Sequence, residues 1–205
     1  MVDIRSERLT LIGPTVVLRV PDEADVAPLW GAVRDSAHEL GQWMSWFHDD
    51  YSEADVRSWT EAARRGFDAD DEYNFVVIDR DEGTVLGACG LNKFDCVNRS
   101  AHLGYWVRTP ATGRGAATES AALVTHWALG ELGLNRLEVV VATANGASLR
   151  VAEKLGAVRE GVARSRLCLR GAVHDGVVFS LVASDLVGPE AIVGGSRDEG
   201  VSSPA

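Results

Sequence analysis

Val107-Arg-Thr-Pro-Ala-Thr-Gly113-Arg114-Gly115-Ala116-Ala117-Thr118-Glu119 runs from the end of an apolar strand, through a glycine loop, into a helix. Gly113, Gly115 and the small Ala117 leave backbone N–H groups uncovered at the helix start, and Arg114 adds a positive charge. Orphan donors and the helix dipole together favour an anion there, and a phosphate suits such a loop. A P-loop for ATP is excluded, since it ends in Gly-Lys-Ser/Thr and no lysine lies between Val107 and Glu119. A dinucleotide fingerprint would read Gly113-x-Gly115-x-x-Thr118, with Glu138 at roughly the distance of its ribose-binding acid. A plain glycine turn before a helix is the third reading, and the loop by itself does not choose among them.

The segments around the loop decide. Beyond the helix and a strand from Arg136 to Ala142 comes Asn145-Gly-Ala-Ser148-Leu-Arg-Val-Ala-Glu153-Lys154-Leu-Gly156. The loop and this second segment, in this order and spacing, resemble the GNAT superfamily of acyl-CoA-dependent N-acyltransferases, and within it the RimJ/RimL type of protein N-terminal acetyltransferase. The loop fits the pattern Gly-x-Gly-x-Ala-Thr-Glu, and the second segment fits Asn-x-x-Ser-x-x-Val-x-Glu-Lys-x-Gly. Asn98-Arg-Ser-Ala-His102-Leu-Gly104-Tyr105-Trp106-Val107 resembles the family's fourth strand, and Leu18-Arg19 its opening strand. The resemblance spans roughly residues 8 to 187.

Composition narrows the function classes. A chain of 205 residues, 46% hydrophobic, can bury one substantial core, and no break in composition divides it. The expected organisation is one domain over residues 1–187 and a tail over 188–205, whose glycine, serine and charge content is that of a flexible linker. No apolar run reaches the roughly 18 residues that span a bilayer, and the first residues lack the apolar stretch of a secretory signal. Cys89, Cys96 and Cys168 are odd in number and lack metal-ligand spacing, so they read as reduced thiols in a cytoplasmic protein without a metal. A net charge of −10 without a basic stripe argues against nucleic acid as partner. It suits cationic amines, and equally suits simple solubility.

The element pattern is α+β. A hairpin is expected from Leu9 to Val20, and a helix from Asp22 to about Arg34. A tryptophan-rich segment follows to Phe47, then a helix from Ser52 to about Asp68. Strands are expected at Asn74–Asp79, Val85–Lys93 and Ala101–Val107. The glycine loop and its helix to Leu132 come next, then a strand near Leu137–Ala142 and a helix over Ala147–Leu155. Two closing strands join at Arg170-Gly171. Such a mixture implies a mostly antiparallel sheet flanked by helices. The resemblance adds what periodicity does not show: the GNAT fold, with the fourth and fifth strands (here ending at Val107 and near Ala142) splayed to admit pantetheine.

The resemblance also distributes roles. Backbone N–H groups of Gly113, Arg114, Gly115, Ala116, Ala117 and Thr118 would take the pyrophosphate of acetyl-CoA. Thr112 stands where the family usually has Gln or Arg. The backbone near Trp106 and Val107 would hold the acetyl carbonyl and stabilise its oxyanion. Asn145 matches an asparagine that contacts the cofactor, and it reads as a helix N-cap as well. The tyrosine that protonates the leaving thiolate in many GNAT enzymes is replaced here by Ala152, which leaves Ser148 as the substitute. The family's strand-four glutamate is replaced by His102, a candidate base that is equally a half-buried strand histidine. His174 with Asp175 is a second candidate base.

A strong base is unnecessary for some amines. Neutralising an N-terminal amine at pH 7 costs only about 1 kcal/mol, against about 4.6 kcal/mol for lysine. The acceptor surface is expected at Glu39, Trp43, Trp46 and Tyr105, with Trp43 reading first as core and Trp46 first as a binding residue. These aromatics also suit the face of a homodimer. The expected activity is acetyl-CoA-dependent N-acetylation, most readily of an α-amine of a protein or peptide. Acetylation of a small amine, or a degenerate acyl-CoA sensor, are the alternatives.

Overall fold

The computed structural model describes residues 9–186, so the expected tail at 188–205 lies outside the described residues. The strands are β1 (Thr10–Ile12), β2 (Val16–Arg19), β3 (Tyr73–Asp79), β4 (Val85–Asp95), β5 (Ser100–Val107), β6 (Arg136–Ala142), β7 (Val158–Leu169) and β8 (Ala172–Leu181). The helices are α1 (Val26–Arg34), α2 (Ala37–Trp43), α3 (Glu53–Asp68), α4 (Ala116–Gly130) and α5 (Gly146–Lys154). Among the described residues the strands form one sheet in the order β1-β2-β3-β4-β5-β6-β8-β7.

Neighbours in this sheet are antiparallel except β5 and β6, which run parallel and are joined by the crossover through α4. Their pairing is short. It covers Ser100–Arg136, Ala101–Leu137 and His102–Glu138, and then stops. From Val139 to Ala142, β6 keeps its ladder with β8 while β5 keeps its ladder with β4. The sheet therefore opens between β5 and β6.

Strand alternation sends side chains into two cores. Tyr73, Phe75 and Val77 join Leu103, Val124 and Trp127 on the α4 and α5 side. Val76 faces the other way, into a cluster with Leu29 and Val33 of α1 and Val56 of α3. By the same alternation Leu103 and Tyr105 belong to the α4 side, whereas Trp106 packs with the α1 and α3 cluster. Gly104 and His102 share the face of Trp106.

Local signals explain the helix starts. Ser52 and Asp55 close a capping box on α3, with the Ser52 N–H 2.8 Å from Asp55 Oδ2. Asp22 caps a single 3-10 turn over Glu23–Asp25, so α1 begins only at Val26. Glu119, in the first turn of α4, accepts from the Thr15 N–H (2.7 Å), the Thr15 hydroxyl (2.5 Å) and the Val16 N–H (3.1 Å). That carboxylate fastens the α4 N-terminus to the start of β2.

Candidate active site

The gap between β5 and β6 opens into a cavity of about 730 Å³. Its wall draws from both sides of the sheet. Cys89, Tyr105, Val139, Asn145 and Ser148 contribute from the α4 and α5 side, and Gly104, Trp106, Trp46 and Trp59 from the other. Two reactants entering from opposite faces would meet in the gap. Beyond His102, the backbone groups of β5 that point toward β6 have no strand partner among the described residues, because the parallel ladder has ended. Trp106 lines the cavity and Val107 closes the strand just beyond its wall.

The glycine loop lies past that end of β5. Gly115 is the N-cap of α4 in the left-handed region (φ 92°), Gly113 has φ 80°, and among the described residues no side chain caps the helix. A side chain at either position would be strained. The N–H groups from Gly113 to Thr118 find no acceptor among the described residues; Glu119 N–H is the first to bond, to the Gly115 carbonyl at 2.9 Å. Arg114 is exposed beside them. The loop fits a pyrophosphate by donor count, helix dipole and open space. Its approach is rigid: Thr109 N–H donates to Ser36 Oγ (3.0 Å), Thr109 Oγ1 to Glu39 (2.9 Å), and Arg108 pairs with Asp35.

Asn145 accepts from the Ser148 N–H at 3.1 Å, and so acts as N-cap of α5 while lining the cavity. Ser148 sits in the first turn above it. Its carbonyl and its hydroxyl each lie 3.2 Å from the Tyr105 hydroxyl, which joins β5 to α5 at the gap. Burial pushes the Tyr105 hydroxyl up to about 12, a rise that the bond to Ser148 partly opposes, so it stays protonated near neutrality. Sequence reading placed Tyr105 among the acceptor residues; the structure brings it to Ser148.

His102 reaches the cavity wall. Burial, reinforced by Lys93, pushes its imidazole down to about 4, and Nδ1 is buried without a partner among the described residues. The ring is neutral at pH 7, available to accept a hydrogen bond but weakly basic.

Trp43 and Trp46 both line the opposite lobe, so Trp43 faces the cavity where core packing was expected first. Trp46 is 39% exposed and its ring lies 6.1 Å from Trp106 and 5.2 Å from Tyr51. Glu39 lies outside the cavity wall, and its carboxylate is drawn to the Thr109 hydroxyl, which lowers its pKa. His174 and Asp175 are also outside the wall and exposed. They lie on β8, where the Asp175 carboxylate accepts from the Ser165 N–H (2.9 Å) at an irregularity in the β7–β8 ladder. Sequence reading missed Asp55, Trp59 and Arg166 on the wall. It also missed Arg170 at the β7–β8 turn, which donates to the Gly41 carbonyl (2.7 Å) and pairs with Asp49 (3.1 Å), tying that turn to α2 and the segment after it.

Known proteins resemble this chain in sequence and fold. Residues 15–158 match the family model described as an acetyltransferase (GNAT) domain. The probable N-acetyltransferase YjcK of Bacillus subtilis is 29% identical over 180 residues, covering 85% of this chain and 98% of that protein. The ribosomal-protein-serine acetyltransferase of Escherichia coli is 26% identical over 170 residues, covering 80% and 90%. A solved structure of RimL, described as a ribosomal L7/L12 alpha-N-protein acetyltransferase in complex with coenzyme A, superposes with a TM-score of 0.77 at 22% identity, over 85% of this chain and 98% of that one. The match to the GNAT model spans most of the chain, which belongs to the GNAT acetyltransferase family and is an N-acetyltransferase.

Proposed function

We propose that the protein acetylates the α-amine of a protein or peptide, using acetyl-CoA held by the Gly113–Thr118 loop. The observation that carries the choice of amine is the state of His102. A histidine pushed down to about 4 cannot strip a lysine ammonium at neutral pH. An N-terminal amine needs about 1 kcal/mol to shed its proton to solvent, a lysine about 4.6 kcal/mol. The named activities of the Escherichia coli relative and of RimL, on ribosomal proteins, support the same class of acceptor.

Bound acetyl-CoA would supply an acetyl thioester, which loses its thiolate as the amide forms. The chain's own residues account for the rest. Uncovered N–H groups from Gly113 to Thr118 hold the pyrophosphate, with Asn145 and the α5 N-terminus flanking the pantetheine path. Unpaired backbone at the end of β5, near Trp106 and Val107, holds the carbonyl oxygen. Ser148 gives its Oγ proton to the leaving thiolate and regains one from the amine nitrogen as the amide forms, its hydroxyl lying in hydrogen-bond contact with Tyr105. The acceptor enters beside Trp46 and Trp106.

The test is acetylation at pH 7 of one peptide carrying an internal lysine, with a free and with a blocked N-terminus. Modification confined to the free form, mapped by fragmentation, is the expected result. Equal acetylation of the blocked peptide would overturn the α-amine assignment, and thiol release with small amines only would replace it by the small-amine reading.

A further inference from the structure

The acceptor lobe carries a carboxylate among its rings. Asp55, in the first turn of α3, lines the cavity together with Tyr51 and Trp59. Its Oδ2 is occupied by the Ser52 N–H (2.8 Å) and the Ser52 hydroxyl (2.6 Å). Among the described residues no side chain donates to Oδ1, and no arginine or lysine forms an ion pair with Asp55. The Ser52 bonds lower its pKa, so the group is ionised at neutral pH.

Its surroundings differ from the rest of the wall. Glu72, also on the wall, takes a hydrogen bond from Asn74 at 3.1 Å. The wall's cations Lys93 and Arg166 lie by His102, and Arg166 is paired with Glu138. Asp55 instead lies near enough to Tyr51 and His48 to interact electrostatically with both, and from Tyr51 the rings lead in steps to the transfer point: Tyr51 to Trp46 at 5.2 Å, then Trp46 to Trp106 at 6.1 Å. A fixed carboxylate with one free oxygen beside aromatic faces binds an ammonium or guanidinium, by charge pairing and cation–π attraction together. The reacting amine must stand neutral in the gap during transfer, so a cation held at Asp55 at that moment is a second group of the acceptor.

We propose that Asp55, Tyr51 and Trp59 form a subsite for a second positive charge on the acceptor, so that the preferred substrate is a peptide with a free N-terminus and a Lys or Arg as its second or third residue. This rests on the α-amine reading above.

The experiment compares peptides that differ only in lysine or norleucine at those positions, each with a free or acetylated N-terminus, against the wild type and Asp55→Asn. Asparagine retains an oxygen for the Ser52 bonds. The readouts are kcat/KM and, independently of turnover, quenching of tryptophan fluorescence on peptide binding. The wild type should favour the lysine peptide by about tenfold or more, as charge-assisted bonds do, and the ratio should fall toward one in Asp55→Asn at unchanged melting temperature. Equal kcat/KM and equal binding of the two free peptides would overturn the subsite and leave α-amine acetylation standing. A preference that survives Asp55→Asn would overturn the assignment to Asp55. Failure of the α-amine reading looks different: acetylated-terminus peptides would turn over as fast as free ones, and the lysine-to-norleucine binding ratio would still decide the subsite. Should Asp55→Asn not fold, the wild-type preference must weaken as salt rises; a salt-independent ratio would overturn the proposal.

Discussion

The Tyr105 hydroxyl lies 3.2 Å from the Ser148 hydroxyl and 3.2 Å from its carbonyl, so β5 and α5 are tied across the place where β5 and β6 separate. The tie puts two proton-bearing oxygens in the gap, on the α4 and α5 side where the Gly113–Thr118 loop also lies. Ala152, at the position of the family's tyrosine acid, is fully buried in the core and offers no proton.

Ser148→Ala and Tyr105→Phe should each lower kcat while leaving coenzyme A affinity nearly unchanged, because a leaving-group acid acts mainly in the transition state. A loss of about 10²-fold is expected for Ser148→Ala, and less for Tyr105→Phe. The double variant should be little worse than Ser148→Ala, since the two act as one unit. Single-turnover thiol release measures this. An unaltered chemical step in Ser148→Ala would remove that residue from the mechanism.

His102 should make the fold pH-sensitive in a defined window. Its folded pKa, about 4, lies below the ordinary 6.5, so the unfolded chain binds the proton first as pH falls. The stability that comes from burying neutral imidazole is full above pH 6.5 and declines as the pH drops toward 4, by about 3 kcal/mol in all. Glu39, Asp55 and Asp95 have lowered pKa values and begin to lose stability only below their ordinary values near 4. Between pH 6.5 and about 5 the decline therefore belongs to His102. Denaturant titrations of wild type and His102→Gln across that range should show a slope in the first and a nearly flat line in the second.

The glycine loop and the α5 start were legible as local structure because each depends on a short contiguous run, while their assignment to a cofactor came from the family resemblance. Gly113 and Gly115 are required by positive φ, and Asn145 and Ser148 by a helix start, so residue type and spacing carry the information. The splay was not legible in periodicity. β6 reads as an ordinary apolar strand, and only its long ladder with β8 against a three-residue ladder with β5 opens the sheet. The acceptor wall is assembled from α1, α3, β5 and β7 by tertiary packing, which leaves no spacing signal. Glu39 shows the limit: acidic and next to the tryptophans in sequence, it is bound to Thr109, a residue 70 positions away, and turned from the cavity. Asp55 was visible as a capping residue, but its second oxygen gains a role only once Trp59 and Tyr51 stand beside it.

Gly115→Asp should abolish the thermal stabilisation that coenzyme A gives the wild type. Ligand that binds only the folded chain raises its stability by mass action. An aspartate at φ 92° would strain the N-cap and set a negative charge among the N–H groups from Gly113 to Thr118. The measurement is a melting curve with and without ligand, beside a circular dichroism spectrum showing the variant folded. A folded variant that binds coenzyme A as well as the wild type would show that the anion lies elsewhere.

The pH dependence of acetylation should follow the acceptor and not the enzyme. With His102 protonating only near pH 4, that ring does not take the ammonium proton near neutrality. The rate on subsaturating peptide should then rise about tenfold per pH unit and level off near the α-amine's own pKa, about 7.7–8.0. Exchanging the terminal residue for one whose amine is less basic should move the plateau down by the same amount. His102→Gln should leave the position of that limb unchanged, although the amplitude can fall if the neutral ring accepts a hydrogen bond from the amine. A limb fixed near 6.5 for every acceptor and lost in His102→Gln would make His102 the base, and would remove the energetic argument against lysine. Initial rates from pH 5.5 to 9 for two peptides and two enzymes separate the cases.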